Sequence, residues 1–265
     1  MHRVERIMGT VFSLTVTDPD VPAEALDGAI GWLRWVDATF TTYDEGSFIS
    51  SLSRDALTLG ECPPEVAEVL ALGEQVAVET DGYFSCYPAG RLDPSGLVKG
   101  WSVEVASALL RAAGSANHCI NAGGDVRTAG ERSPGQAWRI GVAHPVDRSA
   151  LAAVITGRDL AVATSGSAER GDHVLDPHTG QPARGLASVT VIGRDLTRVD
   201  AYATAAFARG ADGLAWLEGV DGVEGLSVDC DATITTTAAF PADSNFSGAL
   251  NSPTGAELST ARRVS

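Results

Sequence analysis

Residues 93–125 read DPSGLVKGWSVEVASALLRAAGSANHCINAGGD, and the interpretation of the whole chain starts from this stretch. A turn over 93–100 precedes apolar residues at helical spacing, and Gly114 stands where a helix would stop. The chain then becomes extended at His118 and breaks at a glycine-rich turn over 121–125. A lysine near a helix start and a glycine-rich turn after a strand favour close backbone approach to a phosphorylated ligand, although an ordinary turn shows the same local pattern.

The glycine spacing differs from that of the common nucleotide-binding loops. The sequence contains neither G-x-x-x-x-G-K-[ST] nor a G-x-G-x-x-G that opens a helix. The stretch resembles instead the central motif of the ApbE-type FAD:protein FMN transferases. The D-x-x-G-x-x-K-G turn of that family appears at 93–100, and its N-A-G-G-D loop appears at 121–125.

The length and composition bound the domain organisation. A chain of 265 residues with 44% hydrophobic residues can bury a core as one large domain or as two intimate lobes. We predict a single domain over 1–240. From 241 onward the sequence is rich in Ser, Asn, Gly and Thr and has few apolar residues, so we predict a mostly disordered tail over 241–265.

Targeting signals and cysteine usage indicate a compartment. The N-terminal segment lacks an apolar signal-peptide core and a cysteine for lipid attachment, and the chain has no apolar run that could span a bilayer. The four cysteines are scattered without C-x-x-C spacing, which is typical of small buried thiols in a reducing compartment. We therefore expect a cytoplasmic protein without membrane insertion.

The charge balance excludes one class of partner. A formal net charge of −15 argues against nucleic acid, because no broad basic surface is available to neutralise phosphates. An acidic protein that handles a pyrophosphate needs local compensation instead. For the substrate that the resemblance implies, a divalent metal together with one or two well-placed cationic side chains would provide that compensation.

Further patterns precede the central stretch. Residues 4–17 alternate as a strand does, and the M-G-T break at 8–10 predicts a bulge or a close backbone contact. Amphipathic patterns predict helices over 22–40 and 63–80. Ser47 should cap a short helix.

The segment before the central motif departs from the family. The family's T-D-G-x-F-D appears at 80–84, but Ser85 replaces the final aspartate, and the loop over 86–90 is shortened. Backbone contacts from Tyr83 and Phe84 to a nucleotide would survive this change. A role that needs the carboxylate would not.

The region after the central motif is rich in short strands. We predict strands over 136–142 and 188–192, and a hairpin formed by 151–156 and 159–164. Two family motifs follow here: A-T-S-G at 163–166, and a form of H-[IL]-[IL]-D-P-x-T-G at 173–180.

A pair of oxygen-bearing side chains opens the last long helix. Asp200 and Thr204 are spaced i,i+4 and so lie on one helix face, in a sequence that matches the family's A-D-A-x-A-T-A. A carboxylate and a hydroxyl placed in this way can supply two hard ligands to Mg²⁺. The alternative is an aspartate at a helix start and a threonine that bonds back to its own helix.

The resemblance implies a fold and a reaction. The fold is α+β and mixed, with mainly antiparallel sheets and packed helices, in two intimate lobes around a nucleotide cleft, as in ApbE-like or T-fold-like proteins. The reaction is Mg²⁺-dependent transfer of FMN from FAD to a serine or threonine hydroxyl of an acceptor protein, with release of AMP. FAD is thus a substrate, and the acceptor flavoprotein is the partner.

The resemblance also implies roles for individual residues. Mg²⁺ would be held by Asp200, Thr204 and the carbonyl of Gly96. Lys99 and His173 are the expected catalytic residues; Lys99 would also bind the nucleotide phosphates, and His173 would be the general base. The remaining nucleotide contacts implied by the family are Met8, Tyr43, Tyr83, Phe84, Asp93, Asn121, Gly123, Gly124, Asp125, Thr164 and Val174.

Three other interpretations fit the same residues. The chain could be a Mg²⁺-dependent FAD pyrophosphatase that uses water in place of the acceptor hydroxyl. It could bind FAD without turnover, or it could be an unassigned α+β domain. Release of AMP separates the pyrophosphatase from the binder, and failure to retain any flavin nucleotide would leave the unassigned domain.

Overall fold

The computed structural model describes residues 1–147, 149–167, 174–241 and 259–260. In these ranges the chain forms an eight-stranded sheet and a three-stranded sheet, with strands numbered along the chain. The large sheet has the order β1 (His2–Ile7), β2 (Thr10–Val16), β3 (His118–Ala122), β4 (Asp125–Ala129), β7 (Ala161–Gly166), β8 (Leu186–Gly193), β9 (Glu224–Asp229) and β10 (Ile234–Thr236). The small sheet has the order β11 (Ser259–Thr260), β5 (Trp138–Ala143) and β6 (Leu151–Gly157).

Neighbouring strands in the large sheet are all antiparallel. In the small sheet β5 and β6 are antiparallel, and β11 runs parallel to β5. The described residues also form six α-helices: α1 (Ala23–Phe40), α2 (Phe48–Ser53), α3 (Pro64–Glu79), α4 (Ser95–Ala112), α5 (Leu196–Ala208) and α6 (Gly213–Leu217). The predicted α+β class with mainly antiparallel sheets and packed helices is confirmed.

The central strands of the large sheet are buried on both faces, to which their successive side chains point in turn, whereas the edge strands β1 and β10 are largely exposed. In β7, Ala161 and Ala163 lie in a core shared with α1, α3, α4 and α5, whereas Val162 lies in a second core. That second core also contains Trp138 of β5 and Ile155 of β6. The molecule therefore has three layers, with the helices on one face of the large sheet and the small sheet on the other.

The helices predicted over 22–40 and 63–80 are confirmed as α1 and α3. The predicted cap of α2 is also present, since the Ser47 hydroxyl accepts a hydrogen bond from the Ser50 N–H at 3.1 Å. No helix in the described ranges is long and apolar enough to cross a membrane. The single domain over 1–240 and the tail from 241 stay predictions, and most of that tail lies outside the described residues.

The strand predicted over 4–17 is wrong in one respect, because the chain reverses within it. β1 and β2 form an antiparallel hairpin in which Ile7 pairs with Thr10. The two residues between them have positive φ angles, 50° at Met8 and 71° at Gly9. Two consecutive positive φ values are the geometry of a tight hairpin turn, which matches the twist of the flanking strands. The glycine therefore makes a reversal rather than a bulge.

The hairpin predicted from 151–156 and 159–164 is also wrong. β6 pairs with β5 in the small sheet, whereas β7 lies between β4 and β8 in the large sheet. The short connection between β6 and β7 thus crosses from one layer to the next. Ile155 and Val162 meet in the second core from opposite sheets, and an alternating sequence pattern does not distinguish that arrangement from a hairpin.

The four cysteines are free thiols, and two of them are buried as expected. Cys86 and Cys119 lie in the cores, and burial raises the pKa of Cys86 to about 11, with further contributions from the carboxylates of Asp93 and Glu74. Cys62 is only partly buried and Cys230 is exposed, so the expectation of four buried thiols is wrong for these two.

His118 is a fully buried histidine at the start of β3. Its Nε2 lies 2.7 Å from the Ser107 hydroxyl, and its Nδ1 lies 3.0 Å from the Ser115 hydroxyl. Burial lowers the pKa of His118 to about 4 from 6.5, and the charges of Arg111 and Arg127 act in the same direction. The imidazole is therefore neutral in the folded protein at neutral pH.

This pKa makes the stability of the protein depend on pH. Between pH 6.5 and pH 4 the unfolded chain binds a proton at His118 that the folded protein does not. We expect this group to lower the free energy of unfolding by up to about 3 kcal/mol as the pH falls through that window. Above pH 6.5 it should not make the free energy of unfolding depend on pH. Urea unfolding of the wild type and of His118→Gln at several pH values would measure the effect. If the free energy of unfolding depended on pH equally in the two proteins, this prediction would be wrong.

Candidate active site

The central motif starts a helix earlier than its sequence predicts. We expected a turn over 93–100 before the helix, but α4 begins at Ser95. The Asp93 carboxylate accepts the Ser95 N–H at 3.0 Å, which satisfies a backbone donor at the helix start. Lys99 and Gly100 therefore lie inside α4 and not in a turn, because local hydrogen bonding extends the helix through the glycine positions.

At Gly100 the backbone of α4 lies directly against α5. A Cβ atom at this position would overlap the Leu196 carbonyl oxygen and would lie 2.9 Å from the Asp200 Cβ. The Gly100 N–H donates to Asp200 Oδ2 at 3.0 Å. The glycine thus permits the contact that orients a carboxylate with only 4% of its residue surface exposed.

Lys99 connects two buried carboxylates that come from different elements. Its ammonium forms a direct ion pair with Asp125 Oδ2 at the start of β4, and it lies 3.8 Å from Asp200 Oδ1 on α5. Asp125 Oδ1 also accepts the Thr164 N–H at 3.2 Å. The structure therefore brings together three predicted site residues that are far apart in the sequence.

The three residues predicted to bind the metal lie on two helices that are in contact, α4 and α5. Thr204 is one helical turn after Asp200, and a Cβ at Gly96 would lie 3.9 Å from the Thr204 hydroxyl. That hydroxyl donates to the Asp200 carbonyl at 3.3 Å, so the alternative predicted from sequence, a threonine bonded back to its helix, is also present. The hydroxyl lies 3.1 Å from that of Ser165 as well. Ser165 was not predicted, although it stands beside Thr164 in the A-T-S-G motif.

The donor set fits a hard divalent cation. A carboxylate, a hydroxyl and a backbone carbonyl are oxygen ligands of the kind Mg²⁺ prefers, and Mg²⁺ completes its octahedron with water and phosphate oxygens. In the described part of the chain, no three His, Cys, Asp or Glu side chains cluster as a metal site. A soft-metal centre of thiolates and imidazoles is therefore not formed by these residues.

The predicted glycine-rich loop is the tight turn between β3 and β4. Gly123 and Gly124 have φ angles of 62° and 112°, which L side chains adopt rarely. The Asn121 side-chain carbonyl accepts the Gly124 N–H at 3.0 Å. A Cβ at Gly123 would lie 3.0 Å from the Thr10 Cβ, so this turn packs directly against the M-G-T turn. Two turns that the sequence places over a hundred residues apart form one surface.

Met8 lies in the turn between β1 and β2, and Phe84 lies beside the start of α4. The Met8 N–H donates to the Asp37 carboxylate at 3.0 Å, and its side chain is partly buried. Phe84 is only 2% exposed, and a Cβ at Gly96 would lie 3.2 Å from its ring. Phe84 therefore supports the first turn of α4 from within the core. The Phe84 N–H donates to the Thr80 hydroxyl at 3.1 Å, so this amide already has a partner within the protein.

Tyr83 lies in a cluster of rings and charges that the sequence did not reveal. The His178 ring packs edge-on to it at 4.4 Å, and the Arg209 guanidinium lies 4.2 Å from its ring centre. Arg209 also donates to the Thr80 carbonyl at 2.8 Å and forms an ion pair with Asp81 at 2.7 Å. The cluster holds the turn after α3 against the end of α5.

The remaining predicted residues are dispersed, except Thr164, whose N–H is bound to Asp125 of the cluster. Tyr43 is 98% exposed, so its ring does not pack against the site. The Thr164 hydroxyl lies 2.8 Å from that of Thr190 on β8, and the Val174 carbonyl accepts the Ala183 N–H at 2.9 Å. His173, the predicted general base, lies outside the described residues.

The sequence of the chain is similar to those of characterised proteins. The chain is 31% identical over 149 residues to the FAD:protein FMN transferase of Vibrio cholerae, an alignment that covers 52% of this chain and 45% of that protein. It is 35% identical over 129 residues to the enzyme of the same name from Rhodobacter capsulatus, which covers 46% of this chain and 24% of that protein. These alignments therefore span less than half the length of the curated relatives.

Solved structures are similar over almost the whole chain. The ApbE protein from Thermotoga maritima superposes with a TM-score of 0.82 at 24% identity, covering 91% of this chain and 97% of that one. The flavin transferase ApbE from Vibrio cholerae gives a TM-score of 0.79 at 21% identity, with coverages of 91% and 97%. At these identities the likeness shows the fold. The sequence model of the ApbE family matches residues 8–89 and 87–227, which is most of the chain and includes every element that builds the cluster of Lys99, Asp125 and Asp200. The chain belongs to the ApbE family.

Proposed function

We propose that this protein transfers FMN from FAD to a serine or threonine hydroxyl of an acceptor protein, with Mg²⁺, and releases AMP. The observation that carries the proposal is the convergence of Gly96, Asp200 and Thr204 beside the ion pair of Lys99 and Asp125. The names of the curated relatives support it, since they are FAD:protein FMN transferases.

The proposed metal site uses only oxygen donors. Mg²⁺ would be held by the Asp200 carboxylate, the Thr204 hydroxyl and the Gly96 carbonyl, and it supplies charge stabilisation to a bound pyrophosphate. The Gly100 N–H fixes one oxygen of Asp200 at 3.0 Å, which orients the other oxygen. Ser165 positions the Thr204 hydroxyl from the adjacent strand.

Besides the metal ion, Lys99 and the N-terminus of α4 provide positive charge for binding the phosphates. A pyrophosphate near Asp125 and Asp200 would meet two carboxylates, and the protein as a whole carries a net charge of −15. The Lys99 ammonium is placed to act as a point charge on a phosphate oxygen. The N-terminus of α4 adds a partial positive charge at the same place.

The proposed chemistry is a substitution at phosphorus. The oxygen of the acceptor hydroxyl attacks the FMN phosphorus, the bond from that phosphorus to the bridging oxygen breaks, and the bridging oxygen leaves with AMP. The proton of the hydroxyl passes to a base, for which we propose His173. The same site would hydrolyse FAD if water took the place of the hydroxyl.

The nucleotide contacts proposed from the family include both backbone turns and side chains. The turns at Met8 and at Gly123 and Gly124 offer backbone close to a ligand, and Asn121 braces the second of them. Tyr43 is exposed, and its ring is available to cover a bound flavin. The other proposed contacts are Tyr83, Phe84, Asp93, Asp125, Thr164 and Val174.

In-gel flavin fluorescence tests this function. A flavoprotein domain that carries an FMN-acceptor threonine is incubated with this protein, FAD and Mg²⁺, with and without EDTA. We expect a fluorescent acceptor band without EDTA and no band with it, because metal loss leaves the pyrophosphate facing the carboxylates. AMP without a band would indicate FAD hydrolysis. If neither a band nor AMP appeared, the protein would at most bind flavin, and the proposal would be wrong.

A further inference from the structure

Among the residues that the structure describes, Lys99 is a cation shared by two buried carboxylates of the candidate site. The side chains of Asp125 and Asp200 are 2% and 6% exposed, whereas that of Lys99 is 27% exposed. Counting only these three groups as ionised, the cluster carries one net negative charge. Lys99 therefore reaches the carboxylates from the more open side and neutralises half of their charge.

This arrangement weakens the attraction for a second cation. A divalent ion bound to Asp200 would lie close to an ammonium that is itself 3.8 Å from Asp200 Oδ1. Charges a few ångströms apart at a partly buried site interact strongly, because the surroundings screen them less than water does. Repulsion between the ammonium and the metal thus opposes metal binding as long as no further anion is present.

A pyrophosphate changes this balance. Its negative charges can pair with the metal and with Lys99 at the same time. This pairing offsets the repulsion between the two cations, so that both can occupy the site. Two ligands that each improve the binding of the other are thermodynamically coupled, and the coupling is equal in both directions.

We propose that Lys99 is a resident counter-cation that holds metal affinity low in the nucleotide-free protein and so makes metal and FAD bind as a coupled pair. This inference rests on the proposed function, because the metal site is the one proposed there. Lys99 stabilises the two buried carboxylates and opposes metal binding until a nucleotide is present.

Mn²⁺ binding to the full chain without nucleotide tests the inference. Free Mn²⁺ measured by electron paramagnetic resonance reports occupancy without any turnover. Lys99→Met removes the ammonium and keeps a long side chain, so we expect Mn²⁺ to bind at least about tenfold more tightly than to the wild type. Asp125→Asn should bind Mn²⁺ more weakly than the wild type, because it lowers the negative charge of the cluster.

The double variant separates charge from structure. Lys99→Met with Asp125→Asn restores the net charge of the wild-type cluster, and we expect its Mn²⁺ affinity to return to within about threefold of the wild type. Before AMP accumulates, FAD should strengthen Mn²⁺ binding more in the wild type than in Lys99→Met. Circular dichroism confirms that each variant is folded.

The outcomes distinguish this inference from the proposed function. If Lys99→Met binds Mn²⁺ no more tightly than the wild type while the wild type transfers FMN, the counter-cation role is wrong and the function stands. If Asp200→Ala retains both Mn²⁺ binding and FMN transfer, the proposed metal site is wrong, and the inference fails with it.

Discussion

Replacing Asp200 with alanine is expected to reduce the rate of FMN transfer by about a thousandfold or more, since it removes the only carboxylate among the three proposed metal ligands. Asp200 lies on α5 with one oxygen bound to the Gly100 N–H at 3.0 Å. Its loss leaves the Thr204 hydroxyl and the Gly96 carbonyl, two neutral donors, to hold a divalent ion. The initial rate of acceptor fluorescence at saturating FAD and Mg²⁺ measures the effect.

Two further variants make the result specific. Asp200→Asn keeps an oxygen that can accept the Gly100 N–H but lacks the negative charge, so it should fold as the wild type does and remain inactive. Asp27→Ala removes an exposed carboxylate that pairs with Arg3 on the surface, and it should leave the transfer rate unchanged. Wild-type activity in Asp200→Ala would show that the metal assignment is wrong.

Gly100→Ala is expected to destabilise the protein by about 3 kcal/mol and to abolish transfer in the fraction that still folds. The added Cβ would overlap the Leu196 carbonyl oxygen and approach the Asp200 Cβ to 2.9 Å. The obstacle on one side is backbone, which cannot rotate away as a side chain can. Relief therefore requires α4 and α5 to separate, which moves Lys99 away from Asp200.

Gly31→Ala is the matched control for this prediction. Gly31 also lies inside a long helix, but apart from the neighbouring residues and backbone of that helix no atom lies within 4 Å of the position that its Cβ would take. Alanine is a better helix former than glycine, so this variant should be as stable as the wild type or more stable by about 0.5–1 kcal/mol. Chemical unfolding of both variants provides the comparison. Equal stability of Gly100→Ala and the wild type would contradict the account of the helix contact.

The sequence was sufficient where local patterns and functional motifs coincide. The helices α1 and α3, the cap at Ser47 and the α+β class are confirmed. The residues singled out by the central motif and by the A-D-A-x-A-T-A helix are those that meet at the cluster. Spacing along one helix predicts directly that Asp200 and Thr204 lie one turn apart, as they do on α5, and their role as metal ligands stays a proposal.

The errors arise where tertiary packing decides between locally equivalent structures. β6 and β7 have the pattern of a hairpin, but their apolar faces meet across two different sheets. The start of α4 was placed too late because the glycines at 96 and 100 suggest a turn. In the folded protein, Gly96 packs on Phe84 and Gly100 packs on α5, so both glycines serve close contact rather than chain reversal.

The supporting residues of the site were missed for a similar reason. Ser165, His178 and Arg209 act through contacts with residues that are distant in the sequence: the Thr204 hydroxyl in the first case and the Tyr83 ring in the other two. Nothing in the sequence around His178 or Arg209 indicates the contacts that these two residues make. The A-T-S-G motif could have indicated Ser165, because a hydroxyl follows Thr164 directly, whereas Arg209 has no comparable signal.

Intact-mass spectrometry of the acceptor tests the central claim most directly. A flavoprotein domain with an acceptor threonine is incubated with this protein, FAD and Mg²⁺, beside the same domain with alanine in place of that threonine. The proposed transfer predicts that the threonine domain gains the mass of FMN less one water and that the alanine domain gains nothing. An unchanged threonine domain in a reaction that accumulates AMP would contradict the transfer and indicate FAD hydrolysis instead.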